Sequence, residues 1–214
     1  MESSKGKMQP KQNTGFSATL EALLNQSAAH HHHLCPRQVL GVRMGMYGAT
    51  LLRLPYPQQN KRLFIFVETD GCFADGVAIA TGCTLGHRTL RLIDFGKIAA
   101  TFVDTLTEEA IRIYPSLDSR QQAGALMPNA RSRWHAQLAA YQMISDERLF
   151  ETQHVHLALS MKALISRPRV RVNCSVCGEE IINEREIACH GMVLCRACAG
   201  ESYYSVVDVI DHSL

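Results

Sequence analysis

Two closely spaced pairs of cysteines constrain the fold of this chain more than any other feature. Cys174 and Cys177 form one C-x2-C pair, Cys195 and Cys198 form a second, and seventeen residues separate the pairs. Each pair directs two sulfur atoms inward from a tight turn, and together they supply the four thiolates of a tetrahedral zinc site. The segment is too short to bury a core of its own, so metal binding would supply most of its folding energy. The spacing predicts a structural Zn²⁺ site that has no open position for catalysis.

Two further candidate ligands, Cys189 and His190, lie between the pairs. Because four cysteines already complete a zinc site, the sequence favours structural roles for both. We expect Cys189 to act as a small apolar residue and His190 to occupy a turn before Gly191. Either could still substitute as a ligand.

The composition allows a core of ordinary size and excludes some classes of partner. The 214 residues are 46% hydrophobic, which suits one medium domain and a smaller unit. The 22 basic and 20 acidic residues give a net charge of +2, which favours neither nucleic acid nor a membrane as partner. Without an apolar stretch of about 20 residues or a signal-peptide core, we expect a cytoplasmic protein. Its eight cysteines then favour metal or thiol chemistry over disulfides.

A run of histidines, His30–His33, precedes Leu34, Cys35 and Pro36. In an extended segment the side chains alternate in direction, which would place His31, His33 and Cys35 on one side. Two imidazoles and a thiolate form a half-site for Zn, Ni, Fe or Cu. The alternatives are a solvated polar loop and an expression tag, and the internal position argues against a tag.

The spacing of apolar residues predicts both helices and strands around this run. Pro36 suits the first turn of a helix, and Cys35 would lie just before it, where a helix dipole favours a thiolate that binds metal or attacks an electrophile. Glycines at about one-turn spacing in that helix would allow another backbone to approach closely. The predicted helices are Phe16–Ala29 with Ser17 as N-cap, Pro36–Met46, Cys72–Ala80 and Arg131–Leu149; the predicted strands are Arg62–Val67, Leu90–Ile93, Ala99–Val103, Ala110–Tyr114 and a strand within 151–172 that carries His154 and His156 on a solvated face.

Four ordered motifs carry a family resemblance over roughly residues 16–205. They are His31–Pro36 (H-x-H-L-C-P), Glu68 with Cys72 and Asp75, Thr81–Gly86 (T-G-C-T-L-G), and Asp94–Lys97 (D-x-G-K). The two cysteine pairs match a zinc-ribbon tail. The chain therefore resembles the FmdE-like proteins, a family whose name comes from formylmethanofuran dehydrogenase.

This resemblance implies an α+β fold, with a mixed sheet and packed helices followed by a small C-terminal zinc ribbon. We expect a disordered arm over 1–15, a core domain over 16–168, and a ribbon domain and tail over 169–214. The resemblance also implies a homodimer and a partner among molybdenum or tungsten enzymes. It implies a pocket for a second transition metal (Zn, Ni or Fe), whose ligands on this chain would be His31, His33, Cys35, Cys72 and Cys83.

Two positions depart from the family pattern. Arg37 stands where the family commonly has glycine, and it would place a charge near the mouth of the pocket. Gly76-Val77-Ala78 replaces a common Ala-Ile-Gln. Asp75 follows Cys72 by three residues, about one helical turn, and could orient a histidine ligand. Lys97 is either an anion contact or an ordinary surface lysine.

These residues support four functions. The favoured one is a metal-binding protein, accessory to a molybdenum or tungsten enzyme or active in metal handling. The alternative is an enzyme that uses the metal as a Lewis acid or Cys35 as a nucleophile, with Asp75 and Lys97 as further catalytic candidates. A thiol redox protein would form a disulfide among Cys35, Cys72 and Cys83. A zinc-ribbon adaptor for nucleic acid would need more positive charge.

Overall fold

A computed structural model describes residues 19–165 and 169–207. The chain divides into two compact units, Met1–Ala158 and Leu159–Leu214. The first combines helices with a five-stranded mixed sheet, and the second contains the two cysteine pairs on short hairpins. The predicted fold class is thereby confirmed. The arm over 1–15 and the helix start at Phe16 and Ser17 lie outside the described residues. Within the described ranges, no helix is both long and apolar enough to cross a membrane.

The sheet of the first unit is built around one fully buried strand. Strand β1 (Leu63–Val67) is buried at all five positions, as a central strand covered on both faces should be. It pairs in parallel with β2 and antiparallel with β3, and the sheet order is β2-β1-β3-β4-β5. The remaining strands are β2 (Leu90–Leu92), β3 (Ala100–Asp104), β4 (Ala110–Pro115) and β5 (Phe150–His154). The four predicted strands from Arg62 to Tyr114 are confirmed.

Two tightly packed helices carry the residues of interest. Helix α2 (Pro36–Leu51) and helix α3 (Cys72–Thr81) approach so closely that a Cβ atom added at Gly41 would lie 2.2 Å from the carbonyl oxygen of Phe73. Gly41 faces residues 73–77 and Gly45 faces residues 77–81, so the contacts advance together along both chains. The helices therefore run parallel, and their N-terminal ends lie side by side. The predicted close approach at these glycines is confirmed.

The histidine run is helical at its start, so the extended arrangement predicted for it is wrong. Helix α1 (Leu20–His31) begins after the N-cap Thr19 and ends at the C-cap His32, whose φ is 59°. A left-handed C-cap is a common way to end a helix. The Nδ1 atom of His33 lies 2.9 Å from the carbonyl oxygen of His31, one of the oxygens that a helix end leaves without an intrahelical partner.

The predicted helix over Arg131–Leu149 is divided in two. Helices α5 (Arg133–Ala140) and α6 (Asp146–Leu149) are separated by a turn whose carbonyl groups at Tyr141 and Ile144 accept hydrogen bonds from the Arg43 guanidinium. That buried arginine satisfies the backbone where the helix stops. Helix α4 (Ser119–Leu126) precedes this pair.

The predicted strand within 151–172 is also corrected. Strand β5 ends at His154, opposite Ile111 near the start of β4, because its partner strand extends no further. A loop with the exposed His156 follows, and then helix α7 (Met161–Ile165). His154 is exposed as well, as expected for a solvated face.

The second unit consists of two hairpins around a very small core. Strands β6 (Arg171–Asn173) and β7 (Glu180–Ile182) form one hairpin, and β8 (Ile187–Cys189) and β9 (Met192–Leu194) form the other. A single helical turn, Ala197–Glu201, follows β9. The buried core consists of Cys174, Ile181 and Leu194. Such a core agrees with the expectation that apolar burial alone does not stabilise this segment.

Candidate functional site

The four paired cysteines converge on one point in the second unit. The sulfur atoms of Cys174, Cys177, Cys195 and Cys198, which we call the cysteine quartet, all lie within 4.8 Å of one another. Those of Cys177 and Cys195 are 3.9 Å apart. A tetrahedral metal with metal–sulfur bonds of about 2.3 Å holds its sulfur ligands about 3.8 Å apart. The quartet therefore has the dimensions of a tetrahedral metal site.

Backbone amides support the sulfur atoms of the quartet. The N–H of Cys195 donates to Sγ of Cys174 at 3.3 Å, and the N–H of Cys198 donates to Sγ of Cys195 at 3.4 Å. The backbone N–H groups of Cys195, Cys177 and Val176 lower the pKa of Cys174 to about 6. A hydrogen bond with Cys195 raises the pKa of Cys198 to about 12. Four sulfur atoms this close cannot all ionise unless a cation offsets their repulsion, which a bound divalent metal would do.

The residues between the pairs have the structural roles that the sequence favoured. Cys189 packs against the small core and does not belong to the quartet. His190 and Gly191 have φ values of 48° and 79° and form the turn between β8 and β9.

In the first unit, Cys35 is fixed at the start of helix α2. Its sulfur accepts a hydrogen bond from the N–H of Gln38 at 3.4 Å, and its own N–H donates to Oε1 of Gln38 at 2.7 Å. This reciprocal capping box satisfies two backbone N–H groups at the helix end. The Nε2 atom of Gln38 donates to the carbonyl oxygen of Ser27 at 2.9 Å, which ties the cap to helix α1. The thiol of Cys35 therefore has a defined position.

Parallel packing of α2 and α3 brings the thiol of Cys72 to that of Cys35. Cys72 is the first residue of α3, and its pKa is raised by burial and by a hydrogen bond with Cys35. His33, Cys35 and Cys72 together line a cavity of about 1030 Å³, which we call the main cavity. We call these three residues the thiol wall.

Asp75 holds the preceding histidine. Nε2 of His31 lies 2.7 Å from Oδ2 of Asp75, so the contact expected of Asp75 with a histidine is present. A carboxylate accepts a hydrogen bond, so Nε2 carries the hydrogen and Nδ1 of a neutral ring is left as the ligand atom. The rings of His31 and His33 are 6.4 Å apart at their centroids, and His31 does not line the main cavity.

Cys83 does not join the thiol wall. Helix α3 separates it from Cys72, and ten residues at 1.5 Å each amount to about 15 Å. Its sulfur lies 2.9 Å from Nε2 of Gln58, and burial raises its pKa to about 11. Lys97 lies in a second cavity of about 540 Å³, the side cavity, with its Nζ 5.9 Å from the centre of the Phe95 ring.

Across residues 19–165 and 169–207, the cysteine quartet alone brings three or more His, Cys, Asp or Glu ligand atoms within 4.8 Å of one another. The thiol wall places three donors at one cavity, but not within that limit. A metal there would therefore require its side chains to move closer together.

A family comparison now adds to this geometry. The model of the family described as "FmdE, Molybdenum formylmethanofuran dehydrogenase operon" matches residues 30–154, which are 125 of the 214 residues. The chain belongs to the FmdE family. The match begins at the histidine run and includes the thiol wall, Asp75 and Lys97, so the resemblance carried by the sequence motifs is confirmed.

Two individual relatives extend the comparison. A protein of Archaeoglobus fulgidus named "Probable S-adenosyl-L-methionine-binding protein" is 28% identical over 209 residues, which cover 88% of this chain and 55% of the relative. The chain thus spans about half the length of that protein. The crystal structure of an FmdE-like protein of tungsten formylmethanofuran dehydrogenase from Syntrophus aciditrophicus matches with a TM-score of 0.56 at 21% identity, covering 88% of this chain and 96% of that one. At that identity the likeness concerns the fold.

Several residues at the cavity of this FmdE chain were not found by sequence reasoning. Arg37 lines the main cavity, as its position beside Cys35 suggested. Arg120, Arg133 and Trp134 line it too, although Trp134 was expected to lie in the core and is 43% exposed. No local pattern distinguishes these side chains from ordinary residues on a helix surface.

Proposed function

We propose that this chain is a metal-binding protein of the FmdE family. The cysteine quartet would hold a structural Zn²⁺, and the thiol wall would bind a second transition metal, Zn, Ni or Fe. His31, whose Nε2 is held by Asp75, would be a further ligand. The observation that carries this proposal is the contact between the thiols of Cys35 and Cys72 beside His33 in the wall of a cavity. Cys83 is left out because it lies beyond the far end of α3.

The ligand chemistry supports a transition metal over Mg²⁺ or Ca²⁺. Thiolates and imidazoles favour borderline and soft ions, whereas Mg²⁺ and Ca²⁺ prefer oxygen. A metal at the thiol wall would displace the thiol proton that burial favours on Cys72. The adjoining cavity would leave room for an exogenous ligand.

We further propose a cytoplasmic, homodimeric protein that is accessory to a molybdenum or tungsten enzyme or active in metal handling. The description of the family supports this role, since it refers to a molybdenum formylmethanofuran dehydrogenase operon. The structural relative has a name of the same kind, which refers to tungsten.

Elemental analysis of protein purified without added metal tests the two sites separately. We expect two metal ions per chain in the wild type, one of them zinc. Cys35→Ser/Cys72→Ser protein should keep only the zinc, and Cys174→Ser/Cys177→Ser protein should keep only the other metal. Cys83→Ser is the matched control and should keep both. One ion per chain in the wild type, or two in the Cys35→Ser/Cys72→Ser variant, would refute the second site.

The alternative is a metal- or cysteine-dependent enzyme that uses the same cavity. The position of Cys35 and Cys72 in the wall of a cavity of about 1030 Å³ favours it, because a substrate could reach both thiols. The name of the Archaeoglobus relative makes S-adenosyl-L-methionine one ligand to test. Equilibrium dialysis against that compound, with and without Cys35→Ser, separates this alternative from a binding role without a substrate.

A further inference from the structure

The charged residues of the main cavity all have one sign. Arg37, Arg120 and Arg133 line it, and no Asp or Glu is among its described lining residues. The chain as a whole has 22 basic and 20 acidic residues, so composition does not account for this segregation. Uncompensated arginines around a concave site attract and hold anions.

These arginines differ from others in the same unit in having no carboxylate partner. Arg43 pairs with Asp146, Arg62 pairs with Asp104, and Arg112 pairs with Glu68. Over the part of the chain that the structure describes, Arg37, Arg120 and Arg133 form no ion pair. Their guanidinium groups therefore keep their donors available for an external acceptor.

The side cavity continues the same electrostatic character. It shares Arg120, Leu40, Ile98 and Tyr141 with the main cavity, so the two adjoin. Its other charged residues are Lys97 and Arg112, and its described lining also has no acidic residue. Arg112 is occupied by Glu68 through hydrogen bonds of 2.6 and 2.8 Å, which leaves Lys97 and Arg120 as the charges available there.

Two helix N-termini add to the positive potential. Pro36 and Arg37, in the first turn of α2, line the main cavity, as do Ser132 and Arg133 at the start of α5. The N-terminal end of a helix carries a partial positive charge and favours anions. The helix ends thus act in the same direction as the side chains.

The remaining lining is apolar and aromatic. Leu40, Ile98, Met127, Trp134 and Tyr141 line the main cavity. Its volume of about 1030 Å³ is at the upper end of the range usual for small organic ligands, about 300–1000 Å³, and exceeds that of a single inorganic anion. The ligand should therefore combine negative charge with an apolar body.

We propose that the adjoining cavities bind a small organic dianion, one that carries phosphate or carboxylate groups on an apolar body. Arg37, Arg120 and Arg133 hold its charged groups, Lys97 reaches a distal group in the side cavity, and the aromatic and aliphatic residues contact its body. The site lies next to the thiol wall but does not depend on a metal there.

The only tryptophan of the chain reports on this site directly. Trp134 is one of the lining residues, and its emission can be followed without interference from another tryptophan. The probes are monohexyl phosphate and adipate, which share negative charge and an aliphatic body, and hexan-1-ol is the neutral control. Calorimetry of the same titrations gives the affinities. We expect saturable binding of at least one of the two dianions, and their relative affinity tells whether the site prefers phosphate or carboxylate.

Substitutions then identify the residues that hold the anion. We expect Arg120→Gln and Arg37→Gln each to weaken the binding of the preferred dianion by about tenfold or more. Arg131→Gln is the matched control, because Arg131 is exposed, is close in sequence and does not line the cavity. It should leave the affinity unchanged, and circular dichroism checks that each variant is folded.

Three results would overturn the proposal: neither dianion gives a heat or an emission change, hexan-1-ol binds as tightly as monohexyl phosphate, or the Arg120→Gln and Arg131→Gln variants bind alike. Cys35→Ser/Cys72→Ser protein separates this proposal from the metal site. Anion binding should persist in it, so the absence of a second metal would leave the dianion site standing.

Discussion

His31 and Asp75 are 44 positions apart in the chain, yet Nε2 of the histidine lies 2.7 Å from Oδ2 of the aspartate. The contact joins the last residue of helix α1 to the first turn of helix α3. It sets which ring nitrogen carries the hydrogen, and it holds the ring at the edge of the thiol wall. A carboxylate that orients a histidine in this way commonly supports metal ligation.

Replacement of Asp75 tests the importance of this contact. We expect Asp75→Asn to weaken the binding of the second metal by about 10- to 100-fold, because a neutral amide orients and polarises the imidazole less well. Competition with a chromophoric chelator measures the affinity. Asp70→Asn, an exposed carboxylate just before α3, is the control and should bind as the wild type does. Equal affinities for Asp75→Asn and the wild type would show that His31 is not a ligand.

The packing of α2 on α3 gives a stability prediction. A Cβ at Gly41 would lie 2.2 Å from the carbonyl oxygen of Phe73, and that backbone oxygen cannot move without displacing α3. We expect Gly41→Ala to lower the free energy of unfolding by about 3 kcal/mol, at the upper end of overpacking effects. Urea denaturation followed by circular dichroism measures it.

The matched control is Gly124→Ala in helix α4. A Cβ there meets nothing within 4 Å, and alanine is the better helix former, so we expect a gain of about 0.5–1 kcal/mol. Equal effects of the two substitutions would contradict the close approach of α2 and α3.

Removal of the quartet metal should unfold only the second unit. Its buried core of Cys174, Ile181 and Leu194 is too small to hold two hairpins. After treatment with a strong chelator, we expect amide protection to be lost across 171–194 and retained in strands β1 and β3. Hydrogen exchange followed by mass spectrometry distinguishes the two units. Unchanged protection across 171–194 would mean that the hairpins do not depend on a metal.

The sequence predicted features that depend on spacing along one element. The cysteine pairs, the glycines of α2 and the interval between Cys72 and Asp75 each place atoms within one turn or one hairpin. Such positions follow from the geometry of a helix or knuckle alone. For this reason the quartet, the close helix packing and the contact of Asp75 with a histidine could be anticipated.

Features that depend on distant partners were missed. Helix α1 continues into the histidine run because His32, without the glycine that usually signals a left-handed C-cap, ends it. The break between α5 and α6 depends on Arg43, about 100 positions earlier in the chain. The cationic cavity joins Arg37 to Arg120 and Arg133, each of which looks like a solvated surface residue in its own segment. No local pattern encodes these encounters.

The placement of Cys83 away from the thiol wall predicts its reactivity. Its thiol is fully buried, and burial raises its pKa to about 11, so at pH 9 it stays protonated in the folded protein. Because the folded-state pKa is above the ordinary value of 9.0, this thiol favours the folded state at pH values below about 9, and that contribution is lost as the pH rises through about 11. We expect iodoacetamide at pH 9 to label Cys83 much more slowly than Cys72, which is only partly buried. Above pH 11, or in urea, the two rates should converge. Mass spectrometry of the labelled peptides measures both rates, and equal labelling at pH 9 would show that Cys83 is open to solvent and available as a ligand.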